Sequence, residues 1–369
     1  MAITFGPNTS DTTLIGYRID GQDWQFTNVS TGATHLLVNA NTTDVSLAYP
    51  ITPSTFEMRV TNWAYGVQVA AVHVAQGEQL IKVADFPRTI EVIGDSLSAG
   101  MYATYEGLSS FAYGLGAGLG NTEYSVTAYP GVCLFDKLCW GNPHGMLYQW
   151  FRTSDTSWRA EQAFGDNPEL WDFSKKPAAD IVVINLGTND NNSANNVTAD
   201  GYVAQYKMLV EGVHKVYPNA QIILMVNCCF LSSHYSNQLK ALWEGFSNIG
   251  NTYEQSTMTS DVGYVPQIYS VYEYFSTKEY LANTILYDPV QNITYPSNQT
   301  SAPFVHYFNT TGLLQHNDIG PQYHPTDAGH IKIASHLIQY IKMKFDWVLY
   351  ATGPEVFHDT LYWNDNSGY

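Results

Sequence analysis

From the N-terminus to about residue 86, apolar positions recur every second residue in short runs separated by turn residues: TTLIGYRI, DWQFTNV, THLLVNA, DVSLAYPI, TFEMRVTNWAYGVQVAAVHVA and EQLIKVA. Alternation at this spacing, with no helical stretch between the runs, predicts strands that together form a small β-sandwich. The pattern changes at Asp85-Phe86-Pro87-Arg88. Beyond it apolar runs alternate with helical segments: TIEVIG, a helix through SSFAYGLGAGL, DIVVINLG, a helix over residues 200 to 216, QIILMVN and YVPQIYSVYEYF. This order predicts a parallel sheet covered on both faces. The chain is expected to divide into a sandwich over residues 1–86 and an α/β unit over residues 87–369.

Helical spacing is clearest in GYVAQYKMLVEGVHKVYP, where Tyr202, Tyr206, Leu209, Val210 and Val213 share one face and Pro218 lies just past the end. HPTDAGHIKIASHLIQYIKMKF predicts the last long helix, with Ile331, Ala334, Leu337, Ile338 and Ile341 on one face. The aromatic, irregular piece from Asp346 to Tyr369 is expected to pack across the surface.

The chain has 369 residues, 45% of them hydrophobic, which suits two unequal cores. It carries 33 acidic against 16 basic residues, a net charge of −17, so nucleic acid is excluded as a partner. No apolar run approaches the ~18 residues of a membrane span. A monomer is expected. The start, MAITFGPNTS, shows no basic and apolar leader regions, so a secretory signal is either lacking or removed before this numbering; eight Asn-X-Ser/Thr sequons, at Asn8, Asn28, Asn41, Asn191, Asn196, Asn292, Asn298 and Asn309, argue for removal and a secreted glycoprotein. Of four cysteines, Cys133 and Cys139 are spaced to staple a loop, while the adjacent Cys228 and Cys229 would make a strained bond or remain free. Neither pair has zinc spacing; no metal or cofactor is expected.

Three polar turns end predicted elements. In IEVIGDSLSAG a buried strand stops at a turn that lifts Ser96 to the carboxyl edge of the sheet, where open α/β folds bind ligands. A serine attacks an ester only when a base takes its proton and pre-aimed donors hold the oxyanion, and a turn entering a helix supplies free N–H groups. Capping is the ordinary job of such a residue. DIVVINLGTND delivers Asn189 to the same edge, and its amide donates without carrying charge. GPQYHPTDAGH places His324 in an extended conformation before Pro325, ahead of a helix, where an imidazole can reach a neighbouring strand end as a general base. His330, on the helix itself, reads as a packing residue.

GDSL at Gly94 to Leu97, GTND at Gly187 to Asp190 and His324-Pro325, in this order and in these strand contexts, resemble the SGNH (GDSL) hydrolase superfamily over residues 89 to 345. The glycine block in TAYPGVCL resembles the family's intermediate motif and points to Gly131. A sandwich ahead of such a unit further resembles carbohydrate esterase family 2, whose members remove acetyl groups from sugars and plant polysaccharides. The resemblance implies a three-layer α/β/α sandwich, Ser96 as nucleophile, His324 as base, and an oxyanion hole of the Ser96 and Gly131 N–H groups with the Asn189 side chain.

One position departs from the superfamily. The acid usually found three residues before the histidine is replaced by Pro321, which implies a Ser-His dyad whose Nδ1–H is held by a backbone carbonyl in the 318 to 322 loop. Asp318 would have to loop back, and Asp327 suits helix capping. The loop CLFDKLCWGNPHGMLYQW, with Trp140, Tyr148 and Trp150, is a candidate wall of the substrate cleft, stiffened by a Cys133–Cys139 bond. The expected activity is deacetylation of carbohydrate. The alternatives are a general short-chain carboxylesterase and a carbohydrate-binding protein on an inactive esterase scaffold.

Overall fold

The computed structural model describes residues 1–38, 55–153, 158–165, 167–226, 264–282, 285–288, 293–296 and 302–350. Among the described residues the N-terminal part contains six strands, β1 Ala2–Phe5, β2 Thr13–Ile19, β3 Gln25–Val29, β4 Thr34–Leu36, β5 Phe56–Val60 and β6 Val69–His73. They form two antiparallel sheets, ordered β4-β1-β6 and β3-β2-β5. Ile3 and Phe5 from one sheet and Ile15, Tyr17 and Val29 from the other share one core, so the sheets face each other as a sandwich.

Three details differ from the alternation pattern. β1 was too short to register as a run. TFEMRVTNWAYGVQVAAVHVA is two strands, because residues 61 to 68 turn between them. EQLIKVA is not a strand: Leu80 and Ile81 are exposed, and among the described residues no neighbour pairs with it. DVSLAYPI lies outside the described residues.

The α/β part is built on five parallel strands: β7 Arg88–Gly94, β8 Thr122–Ala128, β9 Ile181–Asn185, β10 Gln221–Met225 and β13 Val305–Phe308, in the order β13-β10-β9-β7-β8. β8 and β13 escaped the sequence pattern because each is an outer strand whose neighbour covers only one edge, and their residues are correspondingly mixed. A separate hairpin joins β11 Ile285–Asp288 and β12 Ile293–Pro296.

Among the described residues the α-helices are α1 Ser96–Ala99, α2 Phe111–Leu119, α3 Met146–Gln149, α4 Trp158–Phe164, α5 Ala199–Val216, α6 Val265–Ser276, α7 Lys278–Ala282 and α8 Asp327–Phe345. One face of the sheet, through Ile93, Val182, Ile184, Ile222 and Leu224, packs on α5 and α6. The other, through Ile90, Val92, Val183 and Ile223, packs on α2 and α8. The result is a three-layer α/β/α sandwich.

In α5 all five residues of the expected stripe are fully buried, each contributing about 1.5–3 kcal/mol by removal from water. In α8 the stripe is rotated: His330, Ile333, Ala334, Leu337 and Ile341 are buried, whereas Ile331 is 68% exposed. Its face is set by α2, against which the buried His330 accepts the Phe111 N–H at Nδ1 (3.1 Å).

The β-sandwich packs on the segment that follows α1. Phe26 stacks on Tyr105 with ring centroids 3.9 Å apart, Trp24 Nε1 donates to Tyr113 Oη (2.8 Å), and Glu106 accepts from Asn62 and from the Trp63 N–H.

Candidate active site

Ser96 opens α1 directly after β7. Asp95 caps that turn, its carboxylate accepting the Leu97 N–H (3.0 Å), and the αL residue Gly100 ends it, so the expected helix is a single turn. β9, the strand beside β7 on the other side from β8, ends before the loop that bears Asn189. The chain leaves β7 for β8 on one side and returns to β9 on the other, so Ser96 and Asn189 flank the switch point where an open α/β sheet forms its crevice.

The Ser96 Oγ lies 2.7 Å from His324 Nε2, and His324 Nδ1 lies 2.9 Å from the carbonyl oxygen of Gln322. A hydroxyl, an imidazole and an orienting acceptor are therefore in line, the arrangement that activation of a serine by a base requires. The orienting group is a carbonyl of the 318–322 loop. Two consecutive non-glycine residues, Gln322 (φ 49°) and Tyr323 (φ 61°), sit in the left-handed region immediately before His324. Such conformations cost about 1–3 kcal/mol each and persist where the surroundings impose them. Here they turn the Gln322 carbonyl back onto the imidazole.

Asp318 does not reach the histidine. Its buried carboxylate accepts from Lys332 Nζ (2.6 Å) and the Gln315 N–H (2.9 Å), and its carbonyl takes the Thr326 N–H (2.8 Å), closing the loop that carries His324. Asp327 does not cap α8. Thr326 does, while Asp327 accepts the Thr104 N–H (2.8 Å) and ties α8 to the segment after α1. The Tyr102 ring meets the His324 imidazole edge to face, centroids 5.1 Å apart.

Gly131 follows β8 at the same rim, where the Tyr129 N–H donates to the Gly94 carbonyl of β7 (3.4 Å). Its φ is 81°, and a Cβ there would lie 2.7 Å from the Cβ of Trp140, so no other residue fits without displacing that loop. The Asn189 Nδ2 donates to the Val132 carbonyl (2.9 Å), so this side chain crosses the end of β7 to the turn of Gly131.

The Cys133–Cys139 bond is present, and both cysteines are buried. Of the three rings expected in the cleft wall, Trp140 alone is open, at 57% exposed. Trp150 is buried and donates to Glu91, and Tyr148 is held between His144 and the Arg152 guanidinium. Cys228 and Cys229 lie outside the described residues.

A family model described as GDSL-like Lipase/Acylhydrolase matches residues 92–331, from within β7 to the first turns of α8. The chain belongs to this family. A comparison with curated protein sequences gives no match. Among solved structures, this GDSL-like chain is similar to an active-site mutant of a family two carbohydrate esterase from Clostridium thermocellum, with a TM-score of 0.64 and 19% identity over 94% of this chain and 89% of that one. A family two carbohydrate esterase with a carbohydrate-binding domain from Corynascus thermopiles (Myceliophthora fergusii) gives a TM-score of 0.60 and 18% identity, over 94% and 93%. An acetyl xylan esterase from the rumen bacterium Butyrivibrio proteoclasticus gives 0.55 and 16%, over 94% and 87%. At these identities the likeness is one of fold, and it extends over the sandwich as well as the α/β layers.

Within this GDSL-like site, burial dominates the electrostatics. It holds the His324 pKa below the ordinary imidazole value, partly offset by the Gln322 and Pro321 backbone groups. It lowers His330 further, to about 4. Two acids lie beneath the rim, Asp95, a capping candidate in the sequence, and Asp190, which was not singled out there. Burial pushes Asp95 up to about 7 against the opposing Leu97 N–H, and pushes Asp190 up to about 6 against the Phe135 and Leu134 N–H groups.

Asp190 accepts those two N–H groups at 2.9 and 2.8 Å, and so fixes the start of the disulfide loop beside Gly131. The signal was available: it is the last residue of GTND, next to Asn189. Among the described residues no three His, Cys, Asp or Glu side chains converge as a metal site, and no helix is long and apolar enough to cross a membrane.

Proposed function

We propose that this protein is a serine esterase that removes O-acetyl groups from sugars or plant polysaccharides through an acyl-enzyme. The observation that carries the reading is the contact of Ser96 Oγ with His324 Nε2, with Nδ1 already committed to the Gln322 carbonyl. His324 takes the Ser96 proton as Oγ attacks the acetyl carbonyl carbon. The oxyanion is held by the Ser96 and Gly131 N–H groups and the Asn189 amide. The imidazolium then protonates the departing sugar oxygen. Water, deprotonated by His324, attacks the acyl-enzyme; acetate leaves, and the proton returns to Ser96.

A backbone carbonyl fixes the tautomer of the imidazole without adding a buried negative charge beside it. An alkoxide leaves more readily than an amine, so an ester asks less of the imidazolium than an amide does. The lowered pKa of His324 extends to lower pH the range in which the imidazole is neutral and free to accept the Ser96 proton. The carbohydrate part of the reading is supported by three exposed aromatic rings, Tyr102 and Tyr323 beside His324 and Trp140 against Gly131, and by the fold shared with family two carbohydrate esterases. Part of the same proposal is a division of the chain near residue 86 and secretion, for which the disulfide and the sequons argue.

The test is acetate release from acetylated xylan, expected to fall at least ~10²–10⁴-fold in Ser96→Ala and His324→Ala with the thermal midpoint retained. A serine-directed phosphonate should label Ser96. Hydrolysis of aryl acetates without preference for acetylated sugar would make the protein a general short-chain carboxylesterase, and folded protein that neither labels nor turns over would make it a binding protein.

A further inference from the structure

We propose a second ligand site, a pocket for a single anionic sugar, on the flank of the outer strand β8. The cavity measures about 400 Å³ and is bounded by Ser125 and Tyr129 along β8, with Lys176, Arg152, Trp171 and Phe164 around it. This is within the size range of small-molecule sites.

Its floor is unusual for a sheet. Glu91, in the middle of β7, is only 2% exposed, and its carboxylate accepts from Trp150 Nε1 (2.6 Å), Lys176 Nζ (2.8 Å) and Tyr217 Oη (3.1 Å). A buried ion pair of this kind adds little stability over apolar packing. What it does here is hold the Lys176 ammonium against the outer strand, where Nζ also reaches Ser125 Oγ (3.3 Å). An ammonium has three hydrogens, which leaves one for a ligand.

Arg152 brings a second cation. Its guanidinium lies 4.4 Å over the Tyr148 ring, and its Nη1 donates to the Pro168 carbonyl (3.1 Å), so the group is positioned with donors to spare. Trp171 and Phe164 remain 45% and 39% exposed at the cavity. A pyranose has an apolar face that stacks on such rings, and a carboxylate at its edge would meet the two cations.

The chain as a whole is strongly acidic, with only 16 basic residues, yet two of them line this cavity with one acid, Glu91, which leaves a single net positive charge. That balance favours one carboxylate on a compact ring over an extended polyanion, which the rest of the surface repels. Tyr129 lies two residues before Gly131, and the span from Ser125 to Gly131 is on the order of 20 Å at most at strand spacing. Resting on the esterase reading above, the site would seat a uronate branch of the polysaccharide whose ester lies at Ser96.

The experiment is a ligand-observed NMR titration of the full chain with methyl glucuronide and, in parallel, with the uncharged methyl glucoside. Saturable binding of the glucuronide is expected, at least tenfold tighter than the glucoside, and at least tenfold weaker in Trp171→Ala and in Arg152→Gln of unchanged thermal midpoint. Equal binding of both glycosides, or glucuronide binding that both variants leave intact, overturns the proposal. Aryl acetate hydrolysis in the same preparation reports separately on the esterase: turnover without glucuronide binding removes only this site, and binding without turnover removes only the esterase.

Discussion

Replacing Asp190 by asparagine separates two opposed effects beneath the candidate site. The carboxylate accepts the Leu134 and Phe135 N–H groups, and the amide retains one acceptor oxygen while turning an NH2 toward the other N–H. An orphaned buried donor costs about 1–3 kcal/mol at any pH. Against this stands the cost of ionising a buried acid. The Asp190 pKa is about 6 in the folded chain, above its ordinary 3.8, so the native state holds this proton more tightly than the unfolded one. Its contribution to stability is therefore present in acid and lost as the pH rises from about 4 through 6.

Between pH 4.5 and 7.5 that loss amounts to about 2 kcal/mol in the wild type and is absent from the variant. Urea unfolding with the disulfide intact should show Asp190→Asn less stable than wild type at pH 4.5, with the deficit shrinking by that amount at pH 7.5. A deficit that stayed constant or widened with pH would refute the reasoning, because it would mean that the two N–H groups keep the carboxylate ionised in the folded protein at low pH.

Three other outcomes are expected. The acid limb of the kcat/KM profile for an aryl acetate should have its midpoint below pH 6.5, since burial lowers the His324 pKa, and Tyr102→Ala, which bares the ring, should move it upward; a midpoint above 6.5 in the wild type would contradict the burial argument. Gly131→Ala forces a Cβ to within 2.7 Å of Trp140 Cβ at a φ of 81°, so calorimetry should show about 1–3 kcal/mol of lost stability, and kcat should fall more than ~10-fold. Asn189→Ala should lower kcat ~10²–10³-fold with KM little changed, the pattern of a donor that acts mainly on the transition state; an equal rise in KM instead would assign the amide to substrate binding.

The residue sequence by itself was enough for the class of fold, because burial on two faces or one leaves a period that needs no neighbours to be read. β9 and β10 stood out as continuous apolar runs, β7 as one interrupted by Glu91, and α5 as a full stripe with its stop at Pro218. Ser96, Asn189 and His324 were legible because each ends an element in a short polar motif. Elements defined by a partner were not. β8 is an outer strand of mixed residues, EQLIKVA alternates like a strand yet stands exposed, and the buried face of α8 follows its contact with α2, which turned Ile331 outward.

Tertiary structure decided which group orients His324. Pro321 in place of an acid already pointed to a backbone carbonyl of the 318–322 loop, and packing selects that of Gln322, aimed by two left-handed residues and a loop tied down through Asp318. It also decided that Asp190 anchors the disulfide loop, that Trp150 faces Glu91 instead of the cleft, and that Lys176 and Arg152 share a cavity. The physical reason is the same in each case. Periodicity records which side of an element avoids water, whereas the direction of a carbonyl or the partner of a buried charge depends on groups that meet only when distant segments pack.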